Sequence, residues 1–332
     1  MLSIGHINWP ATLPTIALAA LLGSCAIRCG SDGDTAPKNP SGGAVSQPGS
    51  CVDGARAIVH IERLLSLGPR HAGAPGAEQA RKLITGVLGE IGVEPKRHDF
   101  TALTPHPELG RVELANITAQ FSGPGEKLVL IGGHFDGKLL PDIEFQGAND
   151  GGSSTGLLLE LARCFKQNPP PCGVRLAFFD GEEALVKWSD SDGLFGSKHM
   201  ATQLKASGEY KQIAAMVNLD MIGDKRLKLY RESQSTPWVF AALERAAVRL
   251  GLGELFRGPR GGIEDDHVPF LKIGVPAANL IDLQYGPGWK SNGYWHTAKD
   301  TIDKISPDSI AAIGAIVIEA LPDLCAGAPT AE

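Results

Sequence analysis

Apolar residues recur every three or four positions in "ARAIVHIERLLSLGPR" (55–70) and "GAEQARKLITGVLGEIG" (76–92), each running out at glycine, which predicts two amphipathic helices. The period then shortens. "VELANITAQF" (112–121) alternates as a half-covered strand does, and "KLVLIGGHF" (127–135) is the continuous apolar run of a strand buried on both faces. Beyond it the two patterns take turns: a helix at 151–165, strands at 173–181 and 214–223, a helix at 237–251, a strand at 275–283 and a closing helix at 306–324. Strands alternating with helices predict one α/β domain, a three-layer sandwich with a mostly parallel central sheet, and no internal repeat is visible.

The first fifty residues follow another pattern. An apolar segment at 16–22 is too short to span a bilayer and gives way to small polar residues, as the core of an export signal over 1–25 would. Leu22-Gly23-Ser24-Cys25 resembles the lipobox of bacterial lipoproteins, so a lipidated Cys25 could tether the chain to a membrane. No Lys or Arg precedes the apolar segment, only His6, which departs from an ordinary signal. Residues 26–50, rich in Gly, Ser, Pro and Asp, read as a disordered tether, which leaves 51–332 as a single catalytic domain. The expected location is periplasmic or at the cell surface, and six cysteines suit such an oxidising compartment. Cys164 ends a helix-like run and Cys172 precedes a strand, which suggests one disulfide; Cys51 and Cys325 bracket the domain and suggest another. A net charge of −6 without a Lys/Arg stripe argues against a nucleic-acid groove. The chain is expected to act as a monomer.

Candidate chemistry gathers just past strand ends, where open α/β sheets place their sites. His134 and Asp136 follow "KLVLIGG", Glu182 and Glu183 follow "RLAFF", Asp220 follows "AMVNL", and His296 lies beyond "AANLIDL". Each alone has a bland reading, a hydrogen-bonded structural histidine or a solvated acidic pair. Together they form a nitrogen-and-oxygen set suited to Zn²⁺, which in catalytic sites takes three protein ligands and leaves a position open. Successive residues leaving a strand point in different directions, so adjacent Glu182 and Glu183 cannot easily chelate one ion together. One can ligate while the other, in an acidic and partly dry cluster, carries a raised pKa toward the substrate.

The order HxD (134–136), NDGGSSTG (149–156), GEE (181–183), NLDMIG (218–223), DHxPF (266–270) and WHT (295–297) resembles the zinc-dependent aminopeptidase superfamily over 51–324. Within it, "FFDGEEALVKWSDSDGLFGSKHMA" and "YWHT" look most like the animal-type glutaminyl-peptide cyclotransferases, because aminopeptidases lack the insertion that carries Trp188. The resemblance implies a zinc-exopeptidase-like fold and conversion of N-terminal glutamine of peptides or proteins to pyroglutamate, with release of ammonia. It implies one zinc held by Asp150, Glu183 and His296, with Glu182 as proton shuttle. Trp188 and Trp295 would line the pocket, and Asp220 and Asp265 would form an acidic hydrogen-bonded pair beside Glu182. His134, with Asp220, would bind a second metal only in the alternative reading, a two-zinc aminopeptidase. Two departures bear on the substrate side: Glu264 stands where those cyclases carry glutamine, and "QYGPGWKSNGYW" (284–295) is a longer approach to Trp295. Asn116-Ile117-Thr118 formally matches a glycosylation sequon, but inside a strand pattern.

Overall fold

A computed structural model describes residues 51–287 and 293–328; the expected export signal and tether lie outside the described residues. Helix α1 (Gly54–Leu65) is capped by Asp53, whose carboxylate accepts from Arg56 N, and α2 (Pro75–Glu90) opens on proline, whose fixed φ suits a first turn. Strands β1 (Pro95–Leu103) and β2 (Arg111–Phe121) pair antiparallel, and β2 pairs antiparallel with β4 (Gly173–Phe179). The remaining strands, β3 (Leu128–His134), β5 (Ile213–Asp220) and β8 (Ala277–Ile281), join β4 in parallel, and the sheet order is β1-β2-β4-β3-β5-β8. A separate parallel pair, β6 (Arg231–Glu232) with β7 (Arg260–Gly261), stands apart from it.

The two-residue side-chain period of the strands sorts the core into two faces. Val129, Ile131, Leu176, Val217 and Leu219 point to one side, under α1, α2, α3 (Gly152–Gln167), α5 (Pro237–Arg249) and α7 (Pro307–Ala326). Leu128, Leu130, Phe179 and Met216 point to the other, under α4 (Phe195–Ser207) and α6 (His267–Lys272). The three-layer sandwich expected from the apolar runs is therefore present, and the continuous runs are the strands covered on both faces. β1 is different: most of its residues are exposed and its strand is held by the backbone ladder to β2, so the apolar pattern gives no sign of it. Helices α4 and α6 likewise escape the periodicity reading.

The cysteine pairing differs from expectation. Cys51 is bonded to Cys164 and Cys172 to Cys325, rather than Cys164 to Cys172 and Cys51 to Cys325. The cause is packing: α1 lies along α3 and brings Cys51, just before it, to Cys164, while the last turn of α7 reaches the head of β4. The sequon is closed as well, because Asn116 is buried, with its Oδ1 accepting from Asp180 N and its Nδ2 donating to Gly196 O.

Candidate active site

Parallel strands end together, so β3, β4, β5 and β8 deliver their following residues to one edge of the sheet. The approach of α3 to that edge requires glycine at 133, where a Cβ would lie 2.6 Å from Leu219 O and 2.7 Å from Ser154 Cβ. After β4 the chain turns at Gly181 (φ +69°) and presents Glu182 and Glu183. One buried carboxylate fixes both: Asp136 Oδ1 accepts from Glu182 N at 3.0 Å and Oδ2 from Glu183 N at 3.1 Å. The same device recurs at the head of α3. Asp300 accepts from Asn149 N at 2.8 Å and Asp150 N at 3.1 Å, and is itself held by the buried Tyr285 hydroxyl at 2.7 Å. Between the two stands Arg70, fully buried and donating to the carbonyls of Phe135, Gln146 and Gly147, the loops that carry Asp136 and lead to Asp150.

Asp150, Glu183 and His296 are brought together: His296 Nε2 lies 3.0 Å from Glu183 Oε1 and 3.3 Å from Asp150 Oδ2. A second group shares Asp150, with His134 Nε2 at 3.2 Å from Asp150 Oδ1 and 3.3 Å from Asp220 Oδ1. In each triad the donor atoms lie within 4.8 Å of one another, so either could surround a cation. Asp150 Oδ2 is buried without a hydrogen-bond partner, the kind of acceptor a metal ion completes. Imidazole nitrogen with carboxylate oxygen is a donor set that zinc accepts, so the residues present fit that ion.

The electrostatics divide the acids by environment. Burial raises Glu182 well above the carboxylate range, with Glu183, Asp265 and Asp266 adding to the effect and His134 opposing it. Burial, then the charge of Asp265, push Asp220 up to about 7. Burial likewise raises Asp266 well above its usual range, and Asp265 adds to it; Asp266 is a further acid of this cluster, to which sequence reading assigned no role. For His296 burial acts downward, but the carboxylates of Asp150 and Glu183 override it and push the imidazole up to about 10. Asp265 is anchored by Asn279, whose Nδ2 donates to Oδ2 at 2.6 Å.

These groups open into a cavity of about 510 Å³, onto which Glu182, Asp265, Trp188 and Trp295 face. Trp295 stacks on the His296 ring with centroids 3.9 Å apart and is 38% exposed. Trp188 is half-buried, and its Nε1 donates to Glu264 Oε2 at 3.0 Å. Lys138, also unforeseen, places Nζ 3.2 Å from Glu183 Oε2 while donating to Ala184 O at 2.7 Å. Among the described residues, the non-glycine positions with left-handed backbone are Leu194, Met221 and His296. All three belong to this region: Met221 follows Asp220, and Leu194 N donates to Glu182 O at 2.7 Å. Such conformations persist only where the surroundings enforce them.

An α/β sandwich with an imidazole–carboxylate centre beyond the carboxyl ends of its parallel strands defines a protein of the metallo-exopeptidase type. The chain belongs to peptidase family M28, whose family model matches residues 116–321, and within it falls among the glutaminyl cyclases. It is 30% identical over 270 residues to a cattle (Bos taurus) glutaminyl-peptide cyclotransferase-like protein, spanning 73% of this chain and 68% of that one. The crystal structure of an Acidobacteriales bacterium glutaminyl cyclase superposes with a TM-score of 0.78 at 36% identity, over 83% of this chain and 95% of that one. A Zn-dependent exopeptidase from Parabacteroides distasonis gives a TM-score of 0.71 at 25% identity, over 81% and 98% of the two chains.

Proposed function

We propose that the protein cyclises N-terminal glutamine of peptides and proteins to pyroglutamate with release of ammonia. The observation that carries this reading is the division of Glu182 from Glu183: one clamp fixes both backbones, yet Glu183 turns to His296 and Asp150 while Glu182 faces the cavity walled by Trp188 and Trp295. The similarity to glutaminyl cyclases supports it.

In this reading Asp150, Glu183 and His296 would hold one zinc ion. Bound there, zinc supplies a Lewis acid that polarises the γ-carbonyl of the substrate glutamine. Trp188 and Trp295 bind the folded glutamine between flat apolar faces and exclude water. The α-amine nitrogen forms a bond to the γ-carbon as the bond to the side-chain amide nitrogen breaks, closing a five-membered lactam. Glu182 takes a proton from the attacking amine and returns it to the departing ammonia; burial in the acid cluster keeps its proton affinity high enough for both steps. Because nucleophile and electrophile belong to one molecule, orientation supplies much of the rate. Asp220 and Asp265 maintain the acidic surroundings of Glu182.

A two-zinc aminopeptidase is the second reading, favoured by one observation: the His134–Asp150–Asp220 triad is assembled as fully as the first. One comparison separates them. Ammonia and pyroglutamate from Gln-peptides are expected, at one zinc per chain; release of free amino acid from Leu- or Ala-terminated peptides, at two zinc ions per chain, reverses the choice. We further propose export, with Cys25 lipidated; two disulfides support an oxidising destination. Fractionation of the producing cell tests this, and a cytoplasmic, unlipidated protein would reject it.

A further inference from the structure

Trp188 raises a mechanical question. It belongs to a polar insertion in which Val186, Lys187, Ser189, Asp190 and Ser191 are exposed, so no hydrophobic core holds it in place. An indole on such a loop would have to be ordered by each incoming substrate, at a cost in affinity.

Two carboxylates supply what the core does not. Asp192 is fully buried, and its Oδ1 accepts from Leu185 N at 2.8 Å while Oδ2 accepts from Val186 N at 2.8 Å and Lys187 N at 2.9 Å. The backbones of Ser189 and Asp192 close a turn on each other at 3.2 and 3.1 Å, so Trp188 sits between that turn and the amides that Asp192 holds, in a loop fixed from inside. Gly193, at φ +97°, lies against the ring: a Cβ there would come within 3.2 Å of Trp188 Cε3 and Cζ3. The far end of the indole is held by Glu264, whose charged oxygen makes a stronger acceptor for Nε1 than a neutral amide would. Lys272 Nζ is 3.8 Å from the other Glu264 oxygen and is exposed, so water screens that pair and leaves Oε2 available to the indole.

We infer that Asp192 and Glu264 are positioning residues for the substrate cavity, Asp192 setting the backbone of Trp188 and Glu264 setting its indole plane. The inference rests on the reading of Trp188 as a wall for the substrate glutamine. Neither carboxylate touches the reacting atoms; both act through Trp188.

The test is a double-mutant cycle on the zinc-loaded, full-length protein with a neutral Gln-peptide as substrate. Asp192→Asn and Glu264→Leu are each expected to raise KM about tenfold, the loss of a charge-assisted hydrogen bond, with kcat changed less than about threefold. Glu264→Gln, which keeps an acceptor for the indole, restores most of the loss. In a Trp188→Ala background all these effects shrink to within about twofold. Effects that persist there, or that are absent from the parent, overturn the inference. Acrylamide quenching of the Trp188 fluorescence, taken as the difference from Trp188→Phe, is expected to rise in Asp192→Asn and Glu264→Leu; unchanged quenching in both also overturns it. A parent that forms no pyroglutamate rejects the proposed function, whereas a parent that cyclises normally without coupling to Trp188 rejects this inference alone.

Discussion

Glu182 and Glu183 are covalent neighbours whose amides end on the two oxygens of one buried aspartate, so their side chains must diverge. If Glu182 moves the proton, Glu182→Gln keeps zinc at its normal content yet lowers turnover by about 10²–10⁴-fold, measured as ammonia release beside metal analysis. His296 gives a second expectation. In the metal-free protein Asp150 and Glu183 push its pKa up to about 10, so at neutral pH it carries a proton that a metal bound there would have to displace. Zinc affinity should therefore rise with pH, about tenfold per unit between pH 6 and 9, in chelator competition; a flat profile would remove His296 from the ligand set. The residues of this site that sequence could reveal are those in short motifs at strand ends. Asp192 and Asp300 give no such signal, because a carboxylate that collects backbone amides is set by loop geometry, and that geometry has no fixed spacing.

At the scale of elements, periodicity was informative wherever a face is buried. The core strands β3, β4, β5 and β8 and the helices α1, α2, α3, α5 and α7 all carry a continuous or periodic apolar signal, whereas β1 pairs through its backbone and leaves most side chains in water. Disulfide partners lay beyond this kind of reading, since Cys164 meets Cys51 only through the packing of α1 on α3. The Cys172–Cys325 bond ties the last turn of the closing helix to the head of β4. Replacing both cysteines by serine is expected to cost about 2–4 kcal/mol in denaturant unfolding, and the loss should match that of reduction at this bond alone.

For the whole molecule, the sheet order explains why residues more than 150 positions apart share one cavity: parallel β3, β4, β5 and β8 all end at the same edge. The region supporting Asp265 is joined to the rest by Glu232, which accepts from Gln234 N, Ser235 N and Ser235 Oγ and lies 3.2 Å from His267 Nε2. Burial opposes ionisation there, but His267 and these donors outweigh it and hold Glu232 down to about 2. An acid with a depressed folded pKa stabilises above its unfolded value and loses that contribution as pH falls through the folded one. Thermal unfolding should thus show a loss of stability from about pH 4.5 toward 2 that is smaller in Glu232→Gln, which lacks that contribution at every pH.

Asp300 follows His296 by four residues, and this short span carries both a proposed ligand, His296, and the clamp on the amide of another, Asp150. If the span moves as one piece, its withdrawal frees His296 and exposes the amides of Asn149 and Asp150 in the same event, while Glu183 stays on its own clamp. Deuterium uptake at those two amides should then be faster after chelation of the metal than before it, which an ordinary hydrogen-exchange experiment measures.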